Sequence, residues 1–457
     1  MKLQQFLKLT LINKNMSYKN HLDFFVKVFL LIGLILQVNS KLYSQADSTG
    51  MRGLTSLEIT AEMAPGINLF NTLDAICTWC TNNKNGLGSE TVWGNPFTKP
   101  EMIKAFADRG FKTLRIPVTW YNHMGAAPDF IIDTAWMDRV EEVANFALDN
   151  NMYVIINLHH EDLKSGRPGT WISTTYEKQE AVADQLEKVW TQIATRFKDY
   201  NDYVIFETMN EPREVGGTKE WEGGTAEHRE VMNALNLAAV NAIRATGGNN
   251  ESRFIMLPQV GANVASALDA LVIPNDDPNT IVSVHAYYPY WFTIGGGTDK
   301  WGTATEVRAL ENAFAPLSKK FVANGIGVVM GEWGAGNQDN YDQRINYYQT
   351  YTNICKKYGI TPVTWIYDFN RKTLTWENPL IEEAILQAYD STFILAEDLT
   401  LDITSDTLFV GETLQLSATI FPDTVSTKEI GWVSRNGDIA SVNSKGLITA
   451  KSRGTVK

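Results

Sequence analysis

Cysteine is nearly absent from this chain: there are three in 457 residues, Cys77, Cys80 and Cys355. The first two form a C-x-x-C with no second pair to complete a four-ligand zinc site, so a structural role is the plainer reading. Cys355 lies in a stretch of helical period and reads as a small packing residue. Histidine is scarce too, with six. No H-E-x-x-H or comparable set occurs, and the neighbours His159 and His160 should face opposite sides of a strand, so neither a catalytic metal nor any other cofactor is expected. Glycine patterns that cradle phosphates follow none of the strand-like runs. Positive charge is in the minority: a formal net charge of -12 with no long basic run argues against nucleic acid or an anionic membrane surface as partner. The N-terminal apolar run at 29–38 (FLLIGLILQV) is too short to cross a membrane. Preceded by Lys19 and Lys27 and followed by small residues, it reads as an export signal cleaved at Val38-x-Ser40 or Ser44-x-Ala46, with Met16 as the natural start. An uncleaved anchor is the alternative. Residues 1–46 are thus assigned to a signal peptide and leader, and the mature protein to the cell surface, periplasm or medium of a bacterium.

What the chain has in quantity is apolar and aromatic material: 44% hydrophobic residues, thirteen Trp and seventeen Tyr. Flat amphipathic rings suit sugar faces when they lie at a surface, although most aromatics in any protein are core. From about residue 57 strand-like and helical segments alternate. The strand-like runs are 66–72, 113–120, 152–160, 202–210, 253–261, 280–288, 325–333 and 361–369. They are almost continuously apolar, as strands of a parallel sheet covered on both faces are. Helical period marks 136–148, 181–200, 226–245, 305–323 and 342–358. Eight strands alternating with helices predict a (β/α)8 barrel over 47–392, with a doubly wound open sheet as runner-up. After Tyr389 the period changes to two, at 399–403, 413–417 and 430–433, with turns at Pro422-Asp423, Asn436-Gly437 and Lys445-Gly446. A small all-β sandwich is expected over 398–457, its last strand starting at Gly454 and more chain lying downstream.

Active sites of (β/α)8 barrels sit where the strands end at their C-termini, so those positions are the ones to inspect. The run VIFETMNEP at 204–212 stops at Asn210-Glu211, and Pro212 bars the ladder from continuing. Glu332 and Trp333 end the seventh run in the same way. A barrel therefore sets two carboxylates across one mouth. Around them fall Asn68 on the first strand, Arg115 and Trp120 on the second, His159 and His160 on the third, His285 and Tyr287 on the sixth, and Trp365 on the eighth. Glu207 has the opposite parity to Asn210 and reads as a buried partner, while Asp74 reads equally as a loop cap or a site residue. Paired carboxyl groups flanked by aromatics are what glycosidic cleavage requires: one protonated to donate to the leaving oxygen, the other ionised to attack the sugar. Their environments should push their pKa values apart. Arg115 is placed to keep Glu332 ionised, Tyr287 to donate to it, and Asn210 to bind the sugar 2-hydroxyl. Trp120, Trp333 and Trp365 are candidate stacking faces, and Asn68 and His160 further substrate contacts.

The motifs that carry a resemblance are GINLFNTLDA (66–75), VWGNP (92–96), LRIPVTW (114–120), IINLHHE (155–161), MNEPR (209–213), VHAY (284–287) and GEWG (331–334). In this order they resemble a cellulase of glycoside hydrolase family 5, in the branch with endoglucanases and xyloglucan-cleaving enzymes. The resemblance implies retaining hydrolysis of β-1,4-linked glucan, with Glu211 as acid/base and Glu332 as nucleophile. Arg115, His159, Asn210, His285 and Tyr287 match the family's supporting positions. The chain departs from the family pattern at Ile67 and Phe70 on strand one and at 365–370 (WIYDFN) on strand eight. Those departures bear on the substrate more than on the reaction. A mannan-, xylan-, xyloglucan- or mixed-linkage-directed hydrolase of the same mechanism stays open, as does a non-catalytic sugar-binding barrel. The C-terminal stretch around WVSRNGDIASVNSKGLITA resembles bacterial immunoglobulin-like modules. A monomer acting on a β-glucan polysaccharide is the resulting expectation.

Overall fold

The computed structural model describes residues 50–77, 86–165, 167, 169–336, 340–389, 398–423, 432, 434–443 and 445–456. The leader at 1–46 and Cys80 lie outside the described residues; Cys77 is disulfide-bonded. Eight parallel strands close into one barrel in sequence order: β1 (Gly66–Asn68), β2 (Thr113–Ile116), β3 (Tyr153–Asn157), β4 (Val204–Glu207), β5 (Ile255–Asn263), β6 (Thr280–His285), β7 (Gly327–Glu332) and β8 (Ile360–Thr364). β1 pairs with β2 on one side and with β8 on the other, which is the closure. Most strands are shorter than their apolar runs. β2 ends at Ile116, β4 at Glu207, and residues beyond those points leave the ladder to build the mouth.

Among the described residues the helices are α1 (Ser56–Glu62), α2 (Pro100–Arg109), α3 (Thr134–Leu148), α4 (Tyr176–Phe197), α5 (Ala226–Ala245), α6 (Val264–Ala270), α7 (Tyr290–Thr293), α8 (Ala304–Lys320), α9 (Tyr341–Lys357) and α10 (Pro379–Leu386). α1 precedes the barrel and plugs its base. Thr55 and Glu58 form a capping box that starts it. Ile59 of α1 and the following Met63 pack with Ile155, Ile205, Met256, Ile281, Val329 and Val363, the inward residues of six strands. One pleat higher the inward residues turn polar: Asn68, Arg115, Asn157, Glu207 and Ser283, all buried. An apolar floor under a polar layer is what aims chemistry at one end of the barrel.

Beyond residue 397, Asp398–Leu401 pairs antiparallel with Ala418–Phe421, and Leu447–Ala450 pairs with both Thr413–Gln415 and Ala440–Val442. These small antiparallel sheets are those of an immunoglobulin-like module. Of the run expected at 430–433, only Trp432 falls within the described residues.

Candidate active site

Arg115 organises the floor of the mouth. Its Nε donates to Glu207 Oε2 (2.8 Å), and Nη2 lies 2.7 Å from the same oxygen. Nη1 donates to Asn68 Oδ1 and Glu332 Oε1, both at 2.9 Å, and Nη2 also donates to Asn210 Oδ1 at 2.7 Å. Four guanidinium hydrogen bonds and the close ion pair with Glu207 fix the fork rigidly. Glu207 accepts further from Asn157 Nδ2 (3.0 Å) and Ser283 Oγ (2.5 Å). It is the buried partner its position in the run suggests. It does not face away from Asn210, because the strand ends at Glu207 and alternation does not extend beyond it.

Above this layer stand the two carboxylates. Glu332 Oε2 accepts from the Tyr287 hydroxyl at 3.2 Å, and Glu211 Oε1 lies 2.8 Å from His285 Nδ1. The same imidazole nitrogen is 3.9 Å from Glu332 Oε1. One oxygen of each glutamate and the His285 nitrogen all fall within 4.8 Å of one another. A register shift between β6 and β7 pairs Val284 with Met330 but His285 with Glu332. Val329 and Gly331 occupy the inward positions, and the irregularity re-aims the next residue, Glu332, into the mouth.

Burial raises the Glu332 carboxyl above its ordinary range, against the pull of His285 and Arg115, and the charge on Glu211 adds to the rise. Glu211 is buried as well, but the hydrogen bond and charge of His285, with Arg213 and Arg115, bring it below that range. For His285, burial opposes a charge, and Glu332 and Glu211 outweigh it, so the imidazole is raised. The two carboxylates are indeed pushed apart, in the opposite sense to a donor carrying its own proton at rest. The physical reason is the short Glu211–His285 bond, in which the imidazole holds the proton. Tyr287 is pushed up by burial and by the two glutamates, so it remains a donor. His159 is lowered by burial and His160 down to about 4, chiefly also by burial, so both stay neutral.

Several expected contacts fall elsewhere. Trp120 is fully buried, its indole donating to Asn157 O at 2.8 Å behind the strands. Trp333 is equally buried and stacks on Tyr351 of α9 at 4.1 Å. The irregularity that turns Glu332 inward sends Trp333 outward into the strand–helix layer. Neither is a sugar platform. Asn68 is sealed beneath Arg115 and donates to Gly331 O (2.9 Å), so it positions the site without reaching substrate. His159 and His160 lie edge to face at 4.5 Å, because β3 has ended before them. Trp365 keeps a narrow exposed margin, stacked on Phe70 at 4.8 Å and bonded through Nε1 to Tyr367 Oη at 3.0 Å. Tyr367 and Trp93, the latter 5.7 Å from His160, also reach this rim and were not anticipated as site residues. An aromatic within a quoted motif, VWGNP, was the available signal for Trp93.

A (β/α)8 barrel with two close carboxylates and aromatics at its C-terminal mouth defines the class of glycoside hydrolases. The family model described as Cellulase (glycosyl hydrolase family 5) matches residues 75–371, and that of the Bacterial Ig-like domain (group 2) matches 396–457. Endoglucanase B of Clostridium cellulovorans is 43% identical over 397 residues, 83% of this chain and 86% of that protein. A GH5-4 broad specificity endoglucanase from Ruminococcus champanellensis, solved with bound cellotriose, is 39% identical with a TM-score of 0.69 over 74% of this chain and 99% of that one. A xyloglucan-specific endo-beta-1,4-glucanase from a metagenomic library, in complex with cellotriose, gives 36%, 0.67, 72% and 98%. The chain belongs to glycosyl hydrolase family 5 and is a glycoside hydrolase of the cellulase type.

Proposed function

We propose that the protein is a secreted, retaining endo-β-1,4-glucanase acting on a cellulose-like glucan, with Glu211 as acid/base and Glu332 as nucleophile. The observation that carries this reading is the carboxylate separation. One oxygen of each carboxyl within 4.8 Å of the other sits closer to the roughly 5–5.5 Å carboxyl separation of retaining enzymes than to the roughly 6.5–9.5 Å of inverting ones, which hold a water between them. The roles follow from the partners. Glu332 has a fixed donor on each oxygen, Arg115 and Tyr287, and both favour an ionised nucleophile. Glu211 is bonded to His285, an imidazole able to hand it a proton. In the first step Glu332 attacks the anomeric carbon while Glu211 protonates the departing oxygen. Glu211 then takes a proton from water, which attacks the glycosyl-enzyme and releases Glu332. Asn210 has its Oδ1 held by Arg115, so its amide NH2 is the end turned to the sugar 2-hydroxyl.

The substrate assignment rests on relatives that carry cellotriose and that cleave glucans broadly or xyloglucan specifically. Secretion rests on the apolar run at 29–38, and a monomer is proposed with it. Among the described residues no helix is long and apolar enough to cross a membrane. The roles are tested by azide rescue. Glu332→Ala abolishes hydrolysis, and Glu211→Ala in azide yields a β-linked glycosyl azide from an activated aryl glycoside. An α-linked azide, or full activity in either variant, contradicts the assignment. A panel of carboxymethylcellulose, mixed-linkage glucan, xyloglucan and mannan ranks the substrates.

A further inference from the structure

β4 ends at Glu207, so the backbone that carries Glu211 lies beyond the ladder. Pro212 follows and has no N–H to offer. Contacts from neighbouring segments take over. Asn210 N donates to Leu158 O and Gly261 N to Pro212 O, both at 2.9 Å. Between these two, the carbonyl of Glu211 itself accepts from Arg213 Nη1 at 2.8 Å.

Arg213 is in turn gripped from several sides. Asp162, on the loop after β3, accepts from its backbone N through Oδ1 (3.3 Å) and from Nη1 through Oδ2 (3.1 Å). Glu220 Oε1 accepts from Nε at 3.1 Å, and Glu220 Oε2 from Gly216 N at 2.8 Å, which closes the loop after β4 on itself. The Trp221 ring covers the guanidinium, its centre 4.1 Å from Cζ. Glu214, the next residue, accepts from Ser173 Oγ at 2.8 Å and Thr174 N at 2.6 Å, a second stitch to the loop after β3. A planar fork fixed in this way holds a geometry that a flexible ammonium does not.

We propose that Arg213 is a positioning residue for the proton transfers of Glu211, its guanidinium tying the carbonyl of that residue to the anchors Asp162 and Glu220. Placement of the Glu211 carboxyl matters because a general acid must stay within hydrogen-bond reach of the departing oxygen. Glu332 is held by different groups, Arg115 and Tyr287, so loss of Arg213 weakens proton transfer and spares the nucleophile. The inference rests on the acid/base role of Glu211.

The test compares two aryl β-cellobiosides, one whose dinitrophenolate departs unaided and one whose phenolate needs a proton. Arg213→Gln lowers kcat/KM on the phenyl substrate about tenfold and on the dinitrophenyl substrate by less than about twofold. On the latter, kcat and KM fall together, because Glu211 must also activate water and the glycosyl-enzyme accumulates. Arg213→Lys keeps part of the phenyl activity, and Asp162→Asn repeats the selective loss more weakly. With Glu211→Ala showing the selective loss, an equal fall on both substrates in Arg213→Gln, or no fall on either, overturns this inference alone. Glu211→Ala without that selectivity overturns the functional reading and this inference with it.

Discussion

Arg115 has two carboxylates on one guanidinium, and the division of its donors decides what each can do. Glu207, two-fold bonded and sealed, neutralises the buried charge, so the contact to Glu332 supplies a directed hydrogen bond and not a fully compensated ion pair. Burial, with the charge on Glu211, therefore keeps Glu332 above the ordinary carboxylate range despite His285 and Arg115, while the proton needed for leaving-group departure is proposed to reside on the His285–Glu211 bond. Activity then falls on the acid side as pH drops through the raised Glu332 value, and on the alkaline side as pH rises through the raised His285 value. His285→Asn should lower kcat, move the alkaline limb and, because the imidazole pulls Glu332 down, shift the acid limb upward. An unshifted alkaline limb would remove His285 from the proton inventory.

Asp74 offers a stability counterpart at the same scale. Burial pushes it up to about 6 despite the backbone donor from Thr72, and its Oδ2 has no hydrogen-bond partner among the described residues. A folded value raised above the ordinary 3.8 means stability present below about pH 4 and lost as pH rises through about 6, about 3 kcal/mol in all. His160, lowered to about 4, acts in the other direction, its contribution being lost as pH falls from 6.5. The wild-type curve therefore mixes the two. Asp74→Asn isolates one: its change in Tm relative to wild type is more favourable at pH 7.5 than at pH 4.5. An equal change at both would show that the carboxyl titrates normally.

At the scale of elements, β7 is the strand that places the proposed nucleophile, and its geometry explains what the sequence concealed. Apolar runs announced all eight strands because both faces of a barrel strand are buried, and the glutamates announced themselves by interrupting those runs. Trp120 and Trp333 looked identical to platform residues, since an aromatic at a strand end reads the same whether it faces the mouth or the helices. The register shift that separates Glu332 from Trp333 has no sequence sign. Gly331 belongs to the same device: a Cβ there would stand 2.9 Å from His285 Nε2 and 3.6 Å from Glu207 Oε1. Gly331→Ala should fold, with Tm shifted by only a few degrees, but displace the imidazole from Glu211. We expect kcat to fall about 10- to 100-fold, the scale of a misplaced catalytic group. Parental kcat would mean that His285 tolerates the shift.

For the whole molecule, the barrel and the immunoglobulin-like module were both legible from the change of period near residue 390, from continuous apolar runs to alternation. The tyrosines that brace the mouth from α9 were not, because Tyr347 and Tyr351 sit in an ordinary helical pattern yet donate to the carbonyls of Tyr288 and Ala286 at 3.1 and 2.9 Å. They anchor the loop that carries Tyr287 and Trp291, so an outer helix sets the position of a catalytic donor. Two glutamates this close are proposed to act by double displacement. Proton NMR of the first product released from a soluble β-glucan tests it directly. The newly formed reducing end should appear as the β-anomer, with the α-anomer growing only as mutarotation proceeds. Initial appearance of the α-anomer would mean direct attack by water and contradict the account.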